Sequence, residues 1–173
     1  MKKIGIVTDS HSSISQEEAK KLGIFVLPMP FYIDGECYYE SVTLSRELFF
    51  EKLTSGADIS TSQPSPTAVM EIWDKALEEY EKILYMPISS GLSSSYNTAM
   101  MLAQEEKYEG RVLVVDDGQV AAPLHQMILD TLDMIEKGYE AEHIRELLEK
   151  AGDRMMIYIA LQTLEFLKKG GRV

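Results

Sequence analysis

The sequence has a single cysteine, no long apolar run and no recognisable leader. Cys37 has no second cysteine to form an internal disulfide, which is typical of a reducing compartment. The N-terminal stretch MKKIGIVTDS is apolar only from Ile4 to Val7, which is too short for the core of a signal peptide. No stretch approaches the roughly 20 apolar residues of a membrane-spanning helix. We therefore expect a soluble, cytoplasmic protein.

Positive charge is also scarce, since 17 Lys and Arg residues stand against 28 Asp and Glu residues and the net charge is −11. A chain this acidic repels phosphate backbones and anionic lipid surfaces. The basic residues near the C-terminus, Lys168, Lys169 and Arg172, are too few to offset it. Nucleic-acid binding is therefore not expected.

What is present is a regular alternation of short apolar strands and helices over one domain, residues 1–173. Most strands are continuously apolar, as in sheets that helices cover on both faces. The pattern predicts an α/β fold with a mostly parallel open sheet flanked by helices on both faces. Strands are predicted at 3–8, 24–27, 83–88, 111–115 and 155–161, and helices at 46–53, 66–80, 99–106, 123–137, 141–151 and 163–169.

Three local signals fix element ends. Ser15 with Glu18 forms a capping box, and the helix that it opens should stop at Gly23. Asp34-Gly35 between two apolar runs predicts a type I′ hairpin. Ser65 is placed to cap a helix whose first position is Pro66.

Ligands of open α/β sheets bind beyond the carboxyl ends of the strands. Those ends lie at 8–13, 88–95 and 116–120, and 60–65 is expected to join the same rim. Residues 88–99, ISSGLSSSYNTA, carry six Ser and Thr side chains and no Lys or Arg. Helix N-termini attract anions, and hydroxyls add donors without a full charge. Ordinary capping is the alternative, although six hydroxyls exceed the needs of one cap.

Catalytic and metal-binding readings are weaker. GLSSS has Gly91 and Ser93 of a nucleophile elbow, but Ser95 stands where the turn requires glycine. A serine hydrolase that uses Ser93 with His11 as base remains an alternative. Asp116-Asp117 before a glycine is more typical of a turn than of a metal pair. No catalytic residue, metal or cofactor is predicted.

Five stretches, in order and spacing, resemble the DegV family of bacterial lipid-binding proteins. They are IVTDSHSSIS (6–15), STSQPSP (60–66), ISSGLSSSY (88–96), VLVVDDGQV (112–120) and LQTLEFLKKGGRV (161–173). The resemblance runs from one end of the chain to the other. It implies the fold of a DegV N-terminal domain, with the family's C-terminal domain absent from this chain.

The resemblance also implies a function. A DegV protein holds a long-chain fatty acid, such as palmitate, without catalysing a reaction. Some members present it to an ATP-dependent fatty-acid kinase for phospholipid synthesis, so ATP enters only through the partner. Carried over, Thr61 and Ser93 bind the carboxylate. The border of the site would be formed by Asp9, Ser10, Ser62, Ser94 and Ser95.

The chain departs from the family pattern in three respects. First, Ser94-Ser95-Tyr96 follows Ser93 where the family usually has Gly-Thr-Tyr, and the missing glycine is expected to narrow the approach of the backbone to the ligand. Second, Asp117 replaces a serine, and Pro123 and His125 replace glycines. Third, the chain stops before the second domain of the family. An added carboxylate would repel a bound carboxylate or have a raised pKa. A degenerate interaction module that no longer binds lipid is therefore an alternative. A half-tunnel would also expose apolar surface, which predicts self-association or a partner over that face.

Overall fold

The structure is a computed structural model that describes residues 2–40, 42–161 and 163–171. Its strands are β1 (Lys2–Asp9), β2 (Phe25–Leu27), β3 (Pro30–Ile33), β4 (Glu36–Tyr39), β5 (Ile59–Thr61), β6 (Tyr80–Met86) and β7 (Val112–Val114). Its helices are α1 (Gln16–Leu22), α2 (Arg46–Thr54), α3 (Pro66–Leu77), α4 (Ser95–Leu102), α5 (Ala121–Glu136), α6 (Ala141–Gly152) and α7 (Glu165–Lys169), with a 3₁₀ turn at Ser10–Ser12.

The chain divides into two compact units. The parallel unit comprises Met1–Leu27 and Pro64–Met155, and the antiparallel unit comprises Pro28–Gln63 and Met156–Val173. The antiparallel unit is thus largely an insertion between β2 and α3 in the chain.

The parallel unit contains a four-stranded sheet in the order β2-β1-β6-β7, and all its neighbouring strands are parallel. Alternate residues enter two cores: Ile83 and Tyr85 of β6 face one, and Leu84 and Met86 face the other. Helices α3 and α4 cover the first face, whereas α1, α5 and α6 cover the second. Two covered faces explain why the strands are continuously apolar, and the predicted α/β class is confirmed.

The antiparallel unit contains a three-stranded sheet in the order β4-β3-β5. Asp34 and Gly35 join β3 to β4 with φ values of 51° and 84°, the positive φ pair of a type I′ turn. Its buried apolar cluster is small, consisting of Ile33, Leu44 and Ile59. Lys169 of α7 forms an ion pair with Asp58, which precedes β5.

The predicted helix caps are confirmed. Ser15 Oγ accepts a hydrogen bond from Glu18 N at 3.1 Å, and α1 ends at Gly23, whose φ is 69°. Ser65 Oγ accepts from Ala68 N at 3.2 Å, with Pro66 at the first helical position. These ends follow from local chemistry and need no tertiary information.

Some expected elements differ. The strand predicted at 155–161 is wrong, because Met156 and Tyr158 are 74% and 87% exposed and the segment pairs with no strand among the described residues. Apolar composition alone does not make a strand without a neighbour to share its backbone hydrogen bonds. Strand β5 was not predicted, and α3 ends at Leu77 because Tyr80 already begins β6. Arg172, cited above for its charge, lies outside the described residues.

Candidate functional site

Three loops of the parallel unit leave the sheet at one edge. Strands β1, β6 and β7 are adjacent and parallel, so the segments after their carboxyl ends meet there. This confirms the predicted rim for residues 8–13, 88–95 and 116–120. Residues 60–63 belong to the antiparallel unit, and their place on the rim stays a prediction.

Asp9 ties the first loop to the second. It ends β1 and its side chain is fully buried. Oδ1 accepts from His11 N at 2.9 Å and lies 3.2 Å from His11 Nδ1, while Oδ2 accepts from Ile88 N at 2.9 Å. A buried carboxylate is stable only with such partners. Asp9 therefore holds the rim together, and the half-buried Ser10 follows it in the 3₁₀ turn.

The second loop is also tied to the third. Ser89 N donates to the carbonyl oxygen of Gln119 at 3.0 Å, and Ser90 N donates to Asp116 Oδ1 at 3.2 Å. The loop then turns tightly, since Ser93 N donates to Ser89 O at 3.2 Å. The backbone that leads to Ser93 is thus fixed from both neighbouring loops.

Helix α4 begins differently from the other helices that start at a serine. The caps Ser15, Ser45 and Ser65 each accept a backbone N–H through the side chain. Ser94 caps α4 without a side-chain hydrogen bond and is exposed. The hydroxyl of Ser94 is therefore not used for capping.

The two flanking serines complete this helix start. Ser93 Oγ accepts from Ser95 N at 3.2 Å, which leaves its own O–H to donate. Ser95 Oγ is buried, with the residue 4% exposed, and has no hydrogen-bond partner in the described structure. A buried hydroxyl without a partner costs free energy, so this group is suited to an acceptor from a ligand.

Thr61 and Ser62 lie in the antiparallel unit. Thr61 ends β5 opposite Phe31 and is exposed. Ser62 Oγ donates to the carbonyl oxygen of Gln63 at 3.1 Å, and Ser62 N lies 3.5 Å from Pro30 O. Their convergence with Ser93 on one carboxylate stays a prediction.

Asp117 is buried, with 1% exposure, which sequence reasoning missed. Its Oδ1 accepts from Gln119 N at 2.9 Å, but Oδ2 has no partner among the described residues. Burial, together with the negative charges of Asp116 and Asp9, raises the pKa of the Asp117 carboxyl from 3.8 to about 6. The available signal was its position in the sequence, three residues after the buried strand β7, where the chain is still in the protein interior.

The other departures lie on α5. His125 Nε2 lies 3.2 Å from Glu18 Oε1 of α1, and Pro123 is half-buried in the first turn of the helix. His125 thus contacts the helix layer that covers the sheet.

The described residues contain neither a membrane-spanning helix nor a cluster of metal-ligating side chains. None of their helices combines the length and apolarity that crossing a bilayer requires. Within the same ranges, no three His, Cys, Asp or Glu side chains cluster in a way that would hold a metal ion.

A family model described as "uncharacterised protein, DegV family" matches residues 3–173. The chain belongs to the DegV family. A DegV domain-containing protein of Deinococcus radiodurans is 33% identical over 171 residues, covering 98% of this chain and 60% of that protein. Another, from Caldanaerobacter subterraneus, is 30% identical and covers 100% of this chain and 61% of its own length.

Solved structures agree with this DegV fold. A DegV family protein from Thermus thermophilus, described by its fatty acid binding, has a TM-score of 0.87 at 33% identity, covering 98% of this chain and 60% of that one. A stearic acid-binding protein from Eubacterium ventriosum has a TM-score of 0.81 at 25% identity, covering 99% and 60%. The chain spans about 60% of the length of these relatives.

Proposed function

We propose that this DegV chain binds a long-chain fatty acid by its carboxylate at the start of α4. The observation that carries the proposal is the hydrogen-bonding capacity that two serine hydroxyls retain at this helix start. Ser95 Oγ is buried without a partner, and the Ser93 hydroxyl has a hydrogen left to donate. The printed descriptions of the Thermus and Eubacterium relatives as fatty-acid binders support the same ligand class.

The chemistry of these donors fits an acyl anion. The first turn of a helix has unpaired N–H groups and a partial positive charge. Hydroxyls add hydrogen bonds without forming an ion pair. A carboxylate held in this way keeps its negative charge available as a phosphoryl acceptor. We therefore infer that the chain can present its ligand to an ATP-dependent fatty-acid kinase, while it catalyses no reaction itself.

Thr61 is proposed as a second contact of the carboxylate, and its role is tested separately because it lies in the other unit. The proposed border consists of Asp9, Ser10, Ser62, Ser94 and Ser95. Asp9 does not contact the ligand in this proposal, since both of its carboxylate oxygens accept hydrogen bonds within the protein. It positions the loops that form the border.

Self-association is a further part of the proposal. The antiparallel unit exposes apolar side chains on its C-terminal segment, including Tyr158, Ile159 and Leu164. Water contact at such a patch is unfavourable, and a second copy would remove it. Light scattering at micromolar concentration should therefore show a species larger than a monomer, and a monodisperse monomer would contradict this part.

Binding is tested by native mass spectrometry of delipidated protein with added palmitate. Ser93→Ala and Thr61→Ala should each weaken binding about tenfold or more, since a hydrogen bond to a charged group contributes roughly 1.5–3 kcal/mol. Ser90→Ala is the matched control, because Ser90 lies in the same loop, is exposed and contacts Asp116 through its backbone N–H.

The outcomes distinguish a wrong residue assignment from a failure of acyl binding itself. Unchanged binding in both test variants would show that the residue assignment is wrong, although acyl binding stands. No palmitate complex in the parent protein would contradict acyl binding and favour the interaction-module alternative.

The hydrolase alternative rests on one observation, the 3.2 Å approach of His11 Nδ1 to Asp9 Oδ1, which is the acid–base half of a catalytic triad. A fluorophosphonate probe that labels Ser93 would support it. The binding proposal predicts no labelling at this serine.

A further inference from the structure

Two buried oxygen atoms behind β7 have no hydrogen-bond donor among the described residues. They are Asp117 Oδ2 and Gln119 Oε1, on side chains that are each 1% exposed. An amide oxygen only accepts, and an ionised carboxylate oxygen only accepts. Leaving both without a donor is unfavourable in a buried site.

The orientation of the Gln119 amide is fixed by its other end. Nε2 donates to the carbonyl oxygen of Asp117 at 3.0 Å, so reversing the amide would bring two oxygens together. Asp117 Oδ1 in turn accepts from Gln119 N at 2.9 Å. The side chains are therefore held by reciprocal bonds. If Asp117 is protonated, its carboxyl group gains an O–H donor, so one of the two acceptors without a partner becomes a donor.

The surrounding charges favour that proton. Asp116 precedes Asp117, and Asp9 at the end of β1 acts on it as a second negative charge, with His11 on its outer side. From α6, Gly152 packs on the Asp117 backbone: a Cβ there would lie 2.2 Å from the Asp117 carbonyl oxygen. Also on α6, Arg145 and Glu149 pair with each other, with Nε and Oε1 3.3 Å apart.

Hydrogen bonds connect this buried carboxyl to the start of α4. Its neighbours Asp116 and Gln119 accept from Ser90 N and Ser89 N. Ser89 O then accepts from Ser93 N at 3.2 Å. Because Asp117 is buried, a negative charge on it is weakly screened and acts on the adjoining segment that is proposed to hold an acyl anion.

We propose that Asp117 is a proton-binding group that couples acyl binding at Ser93–Ser95 to pH, with the protonated side chain permitting the anion and the ionised side chain opposing it. This inference rests on the function proposed above. The pKa of about 6 puts the transition in the mildly acidic range, so affinity falls as the pH rises through it. By linkage, a bound anion raises the pKa of Asp117 and binding takes up protons.

The test compares the parent chain with Asp117→Asn, which keeps the shape of the side chain and stays neutral. Dodecanoate affinity is measured by calorimetry from pH 5 to pH 8. The ratio of parent to variant affinity should fall by roughly fivefold or more over this range. The ionisation of the ligand is common to both proteins and cancels in the ratio.

A second readout is proton uptake, measured at pH 6.5 in buffers with different ionisation enthalpies. The parent should take up more protons on binding than the Asn variant. Binding with identical pH profiles and identical uptake would overturn the coupling while acyl binding stands. If neither protein binds dodecanoate at any pH, the proposed function fails and this inference fails with it.

Discussion

The two units of the chain differ in how they are stabilised. The parallel unit places its sheet between two helix layers and buries Trp73 and Tyr85 on one face and Leu84 and Met86 on the other. Among the described residues, the antiparallel unit buries a small cluster of Ile33, Leu44 and Ile59, while Phe50 and Tyr39 are 47% and 40% exposed. The comparison shows that a sheet covered on both faces buries far more apolar side chains than a sheet beside one small cluster. The stability of a sheet with a small core depends more on its turns, such as the one at Asp34-Gly35.

The largest effect is expected from removing a core side chain of the parallel unit. Trp73 is fully buried, and its ring centroid lies 5.3 Å from those of both Tyr85 and Tyr108. Trp73→Ala should lower the free energy of unfolding by about 3–5 kcal/mol. Ile33→Ala in the antiparallel unit should cost about 2 kcal/mol, because a small cluster collapses more easily around the gap. Urea unfolding followed by circular dichroism compares them, and equal losses would remove the distinction.

The next effect concerns pH and again belongs to the parallel unit. The folded-state pKa of Asp117 is raised, so its contribution to stability is fully present below pH 3.8 and is lost as the pH rises through about 6. The shift of the Asp117 pKa from 3.8 to about 6 corresponds to a loss of about 3 kcal/mol in the free energy of unfolding between low and high pH. Asp117→Asn should therefore be more stable than the parent at pH 7.5 and lose this pH dependence.

Unfolding at pH 4 and pH 7.5 measures this difference. Asp34→Asn serves as the control in the antiparallel unit, since Asp34 is exposed. The difference in free energy of unfolding between the parent and Asp117→Asn should change between pH 4 and pH 7.5. An equal difference at both pH values would contradict the buried state of Asp117.

Glycine substitutions sharpen the comparison at the level of the backbone. A Cβ on Gly152 would lie 2.2 Å from the carbonyl oxygen of Asp117, so Gly152→Ala should cost about 1–3 kcal/mol and displace the loop behind β7. Gly35 in the antiparallel unit has open space around it but a φ of 84°, so Gly35→Ala should cost about 1–2 kcal/mol through strain alone.

Gly91→Ala is the control for both glycine variants, since its nearest atom would lie at an ordinary 3.5 Å. Its thermal midpoint should match that of the parent within error. Amide chemical shifts of Ser89 and Gln119 should move in the Gly152 variant and stay unchanged in the Gly35 variant. A displaced loop in the Gly35 variant would contradict the assignment of its cost to local strain.

The smallest effect separates capping from ligand binding. Ser65→Ala removes a cap with a 3.2 Å hydrogen bond and should destabilise the protein by about 1 kcal/mol. Ser94→Ala removes a hydroxyl without a capping bond and should be near neutral in thermal unfolding. A loss for Ser94→Ala equal to that for Ser65→Ala would restore capping as the explanation of the serine-rich segment.

Much of this fold could be predicted because its signals are local. The cap at Ser15, the stop at Gly23 and the turn at Asp34-Gly35 depend on side chains within a few residues. The assignment failed at 155–161, where an apolar run was interpreted as a strand, because pairing depends on a neighbour that no local pattern reveals. It also missed β5, whose three residues are too few to show alternation.

The candidate site was predictable only in part. The serine-rich start of α4 and the rim of strand ends could be read from composition and strand order. The missing partner of Ser95 could not, since it depends on side chains from other elements, and the burial of Asp117 was indicated only by its position after the buried strand β7. Asp116-Asp117-Gly118 has the composition of an exposed turn, yet its middle side chain points into the protein interior.

The pairing of β1 with β6 has a consequence for biosynthesis. Residues 2–8 lie in register with residues 80–86, whereas β3 and β4 are joined by a tight turn. On a ribosome the hairpin can form early, while the first strand waits for a partner synthesised much later. Distant pairings of this kind slow folding. The bond from Ile88 N to Asp9 forms only after that late step, so the edge of the sheet at Asp9 is completed well after the hairpin.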